Sequence, residues 1–280
     1  MRGRREQYGC TGPEGTVRAA GPVAGGGGLR PPAAGDGEGR AARPAFYALR
    51  PGGWRDYVTL LHPPYTLWHL SYVAVGAALA PTMKWSLLGW TALAFLLAMG
   101  VGAHALDELH GRPLQTRIPD GVLVTAAAVS LAAACGIGVG VALGTTLWLL
   151  VFVAFGAFVV VAYNLELLGG AFHSDVWFAA AWGAFPALTA YFASAQRLRT
   201  EAVAAAAYAF LASYAQRRLS TQVRVVRRRV ASVEGRIDLR DGGTLSVDAD
   251  ALARAPEVAL QALAAAVVLL AAALLLARAG

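Results

Sequence analysis

Three residues that can do chemistry stand close together: His104, Asp107 and Glu108, spaced i, i+3 and i+4. On a helix that spacing shares one face. They belong to a polar run from His104 to Leu114 that also holds His110 and Arg112, with Arg117 just beyond. A second polar run, Tyr163 to Asp175, carries Asn164, Glu166 and His173; Tyr163 and Glu166 are again i, i+3. Carboxylates from two helix ends can hold a hard cation such as Mg2+, which bridges to phosphates. Arg112 and Arg117 offer guanidiniums for phosphate oxygens. The imidazoles permit a rival metal. His104, His110 and His173, with Asp107, Glu108, Glu166 and Asp175, have the donor types of an iron or zinc site, but lack the repeated histidine pairs of a membrane di-iron oxidase. His62 and His69, seven residues apart, bring two further imidazoles near Tyr65 and Tyr72.

The elements that must position these groups are apolar. Of 280 residues 57% are hydrophobic and 15% charged. No charge falls between Trp85 and Ala103 or between Gly121 and Leu165, and runs of that length span bilayers. The pattern predicts an all-α, polytopic bundle of about seven helices. They run over Pro63–Ala80, Trp85–Leu106, Gly121–Gly140, Thr146–Asn164, Val176–Ser194, Glu201–Ala215 and Val258–Ala277. The sixth continues as a basic amphipathic helix through Val230. Gly136, Gly140 and Gly144 recur every four residues, the spacing of close helix packing in lipid.

Four regions follow. Residues 1–45, rich in Gly, Pro, Ala and Arg, are expected to form a disordered tail and carry no apolar signal-peptide stretch. Residues 46–230 form the bundle, 231–256 a polar insert, and 257–280 the last helix. In the insert, Arg236–Arg240 and Thr244–Asp248 alternate around Asp241-Gly242-Gly243, as in a β-hairpin. Cys10 in the tail and Cys135 in a span make no disulfide framework.

The net charge of +7 suits anionic lipid headgroups rather than nucleic acid. With alternating spans, Arg50, Arg55, Arg112, Arg117 and the arginines from Arg217 to Arg229 share one side. Lys84, Arg197, Arg199 and Arg278 fall opposite. The first side, with both polar runs and the N-terminus, is then cytoplasmic at the plasma membrane.

The acid run closing the second helix, followed by Arg112-Pro113-Leu114 and a polar stretch to Ile118-Pro119, resembles the UbiA-type intramembrane prenyltransferases. The second run resembles a later motif of their menaquinone-synthesis branch. It has Tyr163, Gly169-Gly170 and Asp175, then a Gly- and aromatic-rich helix through Trp182 to Phe192. Pro63-Pro64-Tyr65 to Trp68 is similar to that family's first helix.

The resemblance implies a UbiA-like fold and transfer of a polyprenyl group from its diphosphate to a lipophilic or aromatic acceptor. It implies Mg2+ on Asp107, Glu108, Glu166 and Asp175. Catalysis would fall to Asp107, Glu108, Tyr163, Arg112 and Arg117, and substrate contact to His104, His110, Asn164, His173 and His69. The chain departs from the family at Ala103 and Gly111, where an Asn and a second Asp are usual, and at Gly170, four residues after Glu166, where an acid is usual. Two alternatives stand beside this reading. One is a non-catalytic lipid- or quinone-binding protein or transporter, the transporter disfavoured by the lack of an internal repeat. The other is a metalloprotein using His104, Asp107, Glu108, Glu166 and His173.

Overall fold

The computed structural model describes residue 45 and residues 47–280. The expected tail, apart from Ala45, and Cys10 lie outside the described residues. Proline or a short polar side chain marks the start of four of the described helices, at Pro63, Pro119, Ser174 and Asp248. In chain order they are α1 (Trp54–Leu60), α2 (Pro63–Leu79), α3 (Trp85–Leu109), α4 (Asp120–Gly144), α5 (Leu149–Asn164), α6 (Asp175–Ala195), α7 (Thr200–Arg229) and α8 (Ala249–Ala279). Pro63 and Pro64 fill the first turn of α2, where the missing N–H groups cost nothing. Ser174 caps α6 by accepting from the Trp177 N–H (3.2 Å). Asp248 caps α8 by accepting from the Ala251 N–H (2.7 Å). That cap starts α8 nine residues before the expected Val258, with Pro256 tolerated inside it.

Helices α3, α4, α6 and α8 are long and apolar enough to cross a membrane; α5 is a shorter apolar helix. Polarity is inverted relative to a water-soluble core. Leu143, Trp148, Leu269 and Leu276 are more than two-thirds exposed, while Asp56, His69, Glu108, Asn164 and Gln216 are buried. The finding is thus an all-α bundle carrying one small hairpin.

Helix α2 stands centrally. Trp68 and Tyr72, both fully buried, pack with Ala187 of α6, Ala209 of α7 and Val267 of α8. Tyr72 Oη accepts from Trp68 Nε1 and from Ser213 Oγ. Two glycines let backbones touch: a Cβ at Gly76 would lie 2.1 Å from the Ala187 carbonyl oxygen, and one at Gly183 2.4 Å from that of Ala209. The expected stripe behaves otherwise. Added Cβ atoms at Gly136, Gly140 and Gly144 would meet nothing within 4 Å, whereas Gly138 faces Val153. Four-residue spacing aligns glycines on a face but does not select which face meets a neighbour. At the far end of α2, Arg278 donates from Nε to the Ala78 carbonyl (2.7 Å) and from Nη2 to that of Ala80 (2.9 Å).

Helix α3 widens into a π-helical stretch over Leu96–Ala103 and α6 does so over Ala179–Ala184. Such stretches re-aim side chains and loosen the carbonyl ladder. The polar insert forms an antiparallel pair, β1 (Gly235–Asp238) with β2 (Thr244–Val247), in the register Arg236 to Ser246 and Asp238 to Thr244. Gly242 turns it at φ 87°.

Candidate functional site

A cavity of about 360 Å³ is walled by α2, α3, α5, α6, α7 and the chain before α2. The two polar runs meet there: His104 and Asp107 from the first, Tyr163, Asn164 and His173 from the second. His62 and His69 join them, so four imidazoles line one space.

Three of those rings are fixed by backbone. Nδ1 of His69 lies 2.8 Å from the Trp182 carbonyl oxygen, inside the π-helical stretch of α6. Nδ1 of His104 lies 3.1 Å from the Gly100 carbonyl, inside that of α3. Nδ1 of His173 lies 3.1 Å from the Tyr163 carbonyl. A carbonyl oxygen only accepts, so each Nδ1 carries the proton and each neutral ring keeps its acceptor lone pair on Nε2. For His173 that lone pair has a donor, Arg217 Nη2 at 3.3 Å. His173 also stacks on the Tyr163 ring, centroids 4.5 Å apart. His62, at the left-handed start of α2 (φ 46°), lies 3.1 Å by Nδ1 from Tyr47 Oη. Burial, with His104, Arg228 and Arg224 nearby, holds its imidazole well below the usual histidine range.

The fourth wall is the basic half of α7. Arg217, Arg224 and Arg228 all line the cavity. They are spaced i, i+7 and i+11, which on a 3.6-residue helix is one face. Against three guanidiniums the described lining holds one carboxylate, Asp107. Arg217 is held by Asp175 (Nε to Oδ1, 3.3 Å) and sits over the Phe178 ring at 5.4 Å. Arg224 is half-buried, donates to Thr221 Oγ1 (2.9 Å), and forms no ion pair among the described residues. Two buried polar atoms beside these arginines, Tyr163 Oη and Gln216 Oε1, have no hydrogen-bond partner among the described residues. Buried polar atoms are rarely left so, and both belong to residues of the cavity lining, where a small turn of the side chain would bring them to a ligand.

The other expected site residues lie elsewhere. Glu108 is 1% exposed and does not line the cavity. Its carboxylate accepts from the Leu114 N–H (3.0 Å), the Thr116 N–H (2.8 Å) and Thr116 Oγ1 (2.8 Å), and so ties down the loop that follows α3. Arg112 staples the same loop, donating to the carbonyls of Thr116 and Ile118 and pairing with Asp120. Arg117 is exposed, its backbone N–H held by Asp56 (2.8 Å), and His110 is exposed. Glu166 lies outside the lining, 3.8 Å from His173 Nδ1. Asp175 is taken by Arg217 and Arg218. Asn164 is in the lining, with Nδ2 donating to the Val160 carbonyl (2.7 Å).

This arrangement does not fit the expected Mg2+. Of its four carboxylates one reaches the cavity and two are consumed by loop and arginines. No group of three His, Cys, Asp or Glu able to hold a metal occurs among the described residues.

Residues not singled out as site residues from sequence include Arg217, Arg224, Arg228, Gln216, Tyr47 and Tyr65. The arginines do carry a signal in the sequence, their one-face spacing, beside the charge bias that bears on orientation.

Behind the cavity runs an apolar groove between α3, α4, α5 and α6, lined by residues such as Phe95, Ala98, Leu131 and Phe152. Met99 and Trp182 belong to both walls, so cavity and groove lie on either side of these two side chains. No protein-family model matches the chain, and no curated protein or solved structure does either.

Proposed function

We propose that this chain is an integral membrane protein that binds a polyprenyl diphosphate, with the diphosphate in the arginine-lined cavity and the isoprenoid tail along the groove, and passes the prenyl group to a lipophilic acceptor. One observation carries the reading: a polar, guanidinium-rich chamber and an apolar channel share the wall formed by Met99 and Trp182. An amphiphile with an anionic head and a long tail matches that pairing. The UbiA resemblance points to the same substrate class.

In this reading the allylic carbon lies at the shared wall. Its bond to the diphosphate oxygen breaks and the electron pair leaves with the diphosphate. Charge grows on the departing oxygens, where Arg217 and Arg224 stabilise it. The allylic cation left behind lies beside Trp182, whose ring meets that of Tyr163 edge-on at 5.7 Å between centroids. Aromatic faces stabilise such a cation. The acceptor then bonds to that carbon and loses a proton. Nε2 of His69 or His104 has the lone pair to receive it.

The finer topology belongs to the same proposal. Helices α2, α5 and α7 cross beside the four long apolar ones, giving seven spans, and the arginine-rich end of α7 faces the cytoplasm at the plasma membrane.

The test is binding of geranylgeranyl diphosphate to the purified full chain in detergent, against geranylgeraniol and inorganic pyrophosphate. The reading expects the diphosphate ester to bind at least about tenfold more tightly than either half alone. Equal binding of the alcohol would favour a neutral lipid or quinone ligand; no binding of the ester would remove the proposal.

A further inference from the structure

We infer that the head group is clamped directly by Arg217 and Arg224, with Tyr163 and Gln216 completing its hydrogen bonds, and that no divalent cation takes part in holding it. This rests on the proposed reading of the cavity as a diphosphate site. It departs from what the acid-rich motifs led one to expect, and the departure comes from where those acids end up.

A Mg2+ bridge needs at least one or two free carboxylates aimed at the phosphates. Here both oxygens of Glu108 serve backbone and hydroxyl donors of the loop after α3. Asp175 oxygens serve Arg217 and Arg218. Glu166 stands outside the lining. Asp107 alone faces the cavity, and it faces guanidiniums.

Direct clamping has the opposite profile. Arg217 and Arg224 lie seven residues apart on one face of α7. Arg217 is oriented by Asp175 and His173, leaving its fork fixed rather than mobile. Arg224 is half-buried and makes no ion pair among the described residues, Asp107 lying in the same lining without contacting it, so an anion between them would be held by an unpaired guanidinium. Tyr163 Oη can donate to a phosphate oxygen. The Gln216 amide lacks a partner at its oxygen as placed; turned over, it presents its NH2 at the same point.

The charge of Asp107 gives the two modes opposite signs. As a metal ligand it would strengthen binding of the diphosphate. As a bystander it repels the anion, so neutralising it leaves binding equal or tighter.

The experiment measures the dissociation constant of geranylgeranyl diphosphate for the full chain in EDTA and again in excess Mg2+, for wild type, Arg224→Gln and Asp107→Asn. Expected are wild-type constants within about threefold of each other, a loss of about tenfold or more for Arg224→Gln in EDTA, and no loss for Asp107→Asn. Wild-type binding more than about threefold tighter in Mg2+, or a loss in Asp107→Asn, overturns the inference while the diphosphate reading stands. Undiminished binding by a folded Arg224→Gln overturns it too. No wild-type binding in either buffer overturns both. Should Arg224→Gln fail to fold, the EDTA and Mg2+ comparison on wild type decides alone.

Discussion

The imidazoles of His62 and His104 lie face to face, centroids 4.1 Å apart and 14° from parallel. His62 comes from the start of α2 and His104 from just beyond the π-helical stretch of α3, so the contact joins two helices at the cavity wall. A proton on one ring raises the cost of a proton on the other.

Stability should therefore fall with acid. The folded chain holds His62 well below its ordinary pKa of about 6.5, so the unfolded chain binds more protons below that value. More protons on the unfolded side means stability rises with pH. The contribution is neutral above about pH 7 and is lost progressively as pH drops through about 6.5. Thermal unfolding from pH 7.5 to 5.5 should show His62→Asn with a shallower decline than wild type. Asn suits the left-handed backbone there.

Glu108→Gln should cost stability of about 1–3 kcal/mol, because an amide has one acceptor where the carboxylate uses two. Hydrogen exchange at the Leu114 and Thr116 amides should quicken in the variant. Binding of the diphosphate ester should change little. Strong loss of binding with unchanged exchange would mean that Glu108 works on the ligand.

Gly183→Ala should push α6 off α7, since its methyl would meet the Ala209 carbonyl. The expected cost is about 1–3 kcal/mol, read as a drop in the unfolding temperature. Gly140→Ala is the control; with nothing near, it should be neutral or stabilising.

Ala98→Phe should narrow the groove without touching the polar cavity, whose lining it does not join. Displacing two or more methylenes of a tail costs about 0.8 kcal/mol each, so geranylgeranyl diphosphate should bind about tenfold more weakly. Dimethylallyl diphosphate, too short to reach, should be unaffected. Equal weakening of both would place the tail elsewhere.

The helices were legible because apolar length and proline punctuation act locally. Pro63-Pro64, Pro119 and the uncharged runs need no tertiary contact to make their case. His104, Asp107, Tyr163, Asn164 and His173 were legible as polar groups at the ends of apolar segments. Glu108 parts from Asp107 for a geometric reason. It lies four residues from His104 but only one from Asp107, and neighbours differ by about 100° on a helix. The two acids therefore look in different directions, and the loop from Arg112 to Ile118 folds back on the second. The arginines of α7 were hidden in another way. A basic run past a span reads as a lipid-facing signal, and only the packing of α7 against α6 and α8 turns Arg217 and Arg224 inward. The glycine stripe of α4 failed on the same ground: spacing is local, but the choice of partner is not.

The far end of helix α2 is held by Arg278, which is made two hundred residues later. Its central neighbours, Ala187, Ala209 and Val267, are also late arrivals. Until those later segments are made, α2 must therefore wait with Trp68, His69 and Tyr72 uncovered. The C-terminal helix α8 thus completes the burial of a helix made long before it, and a chain cut short before Val267 would leave α2 without that neighbour.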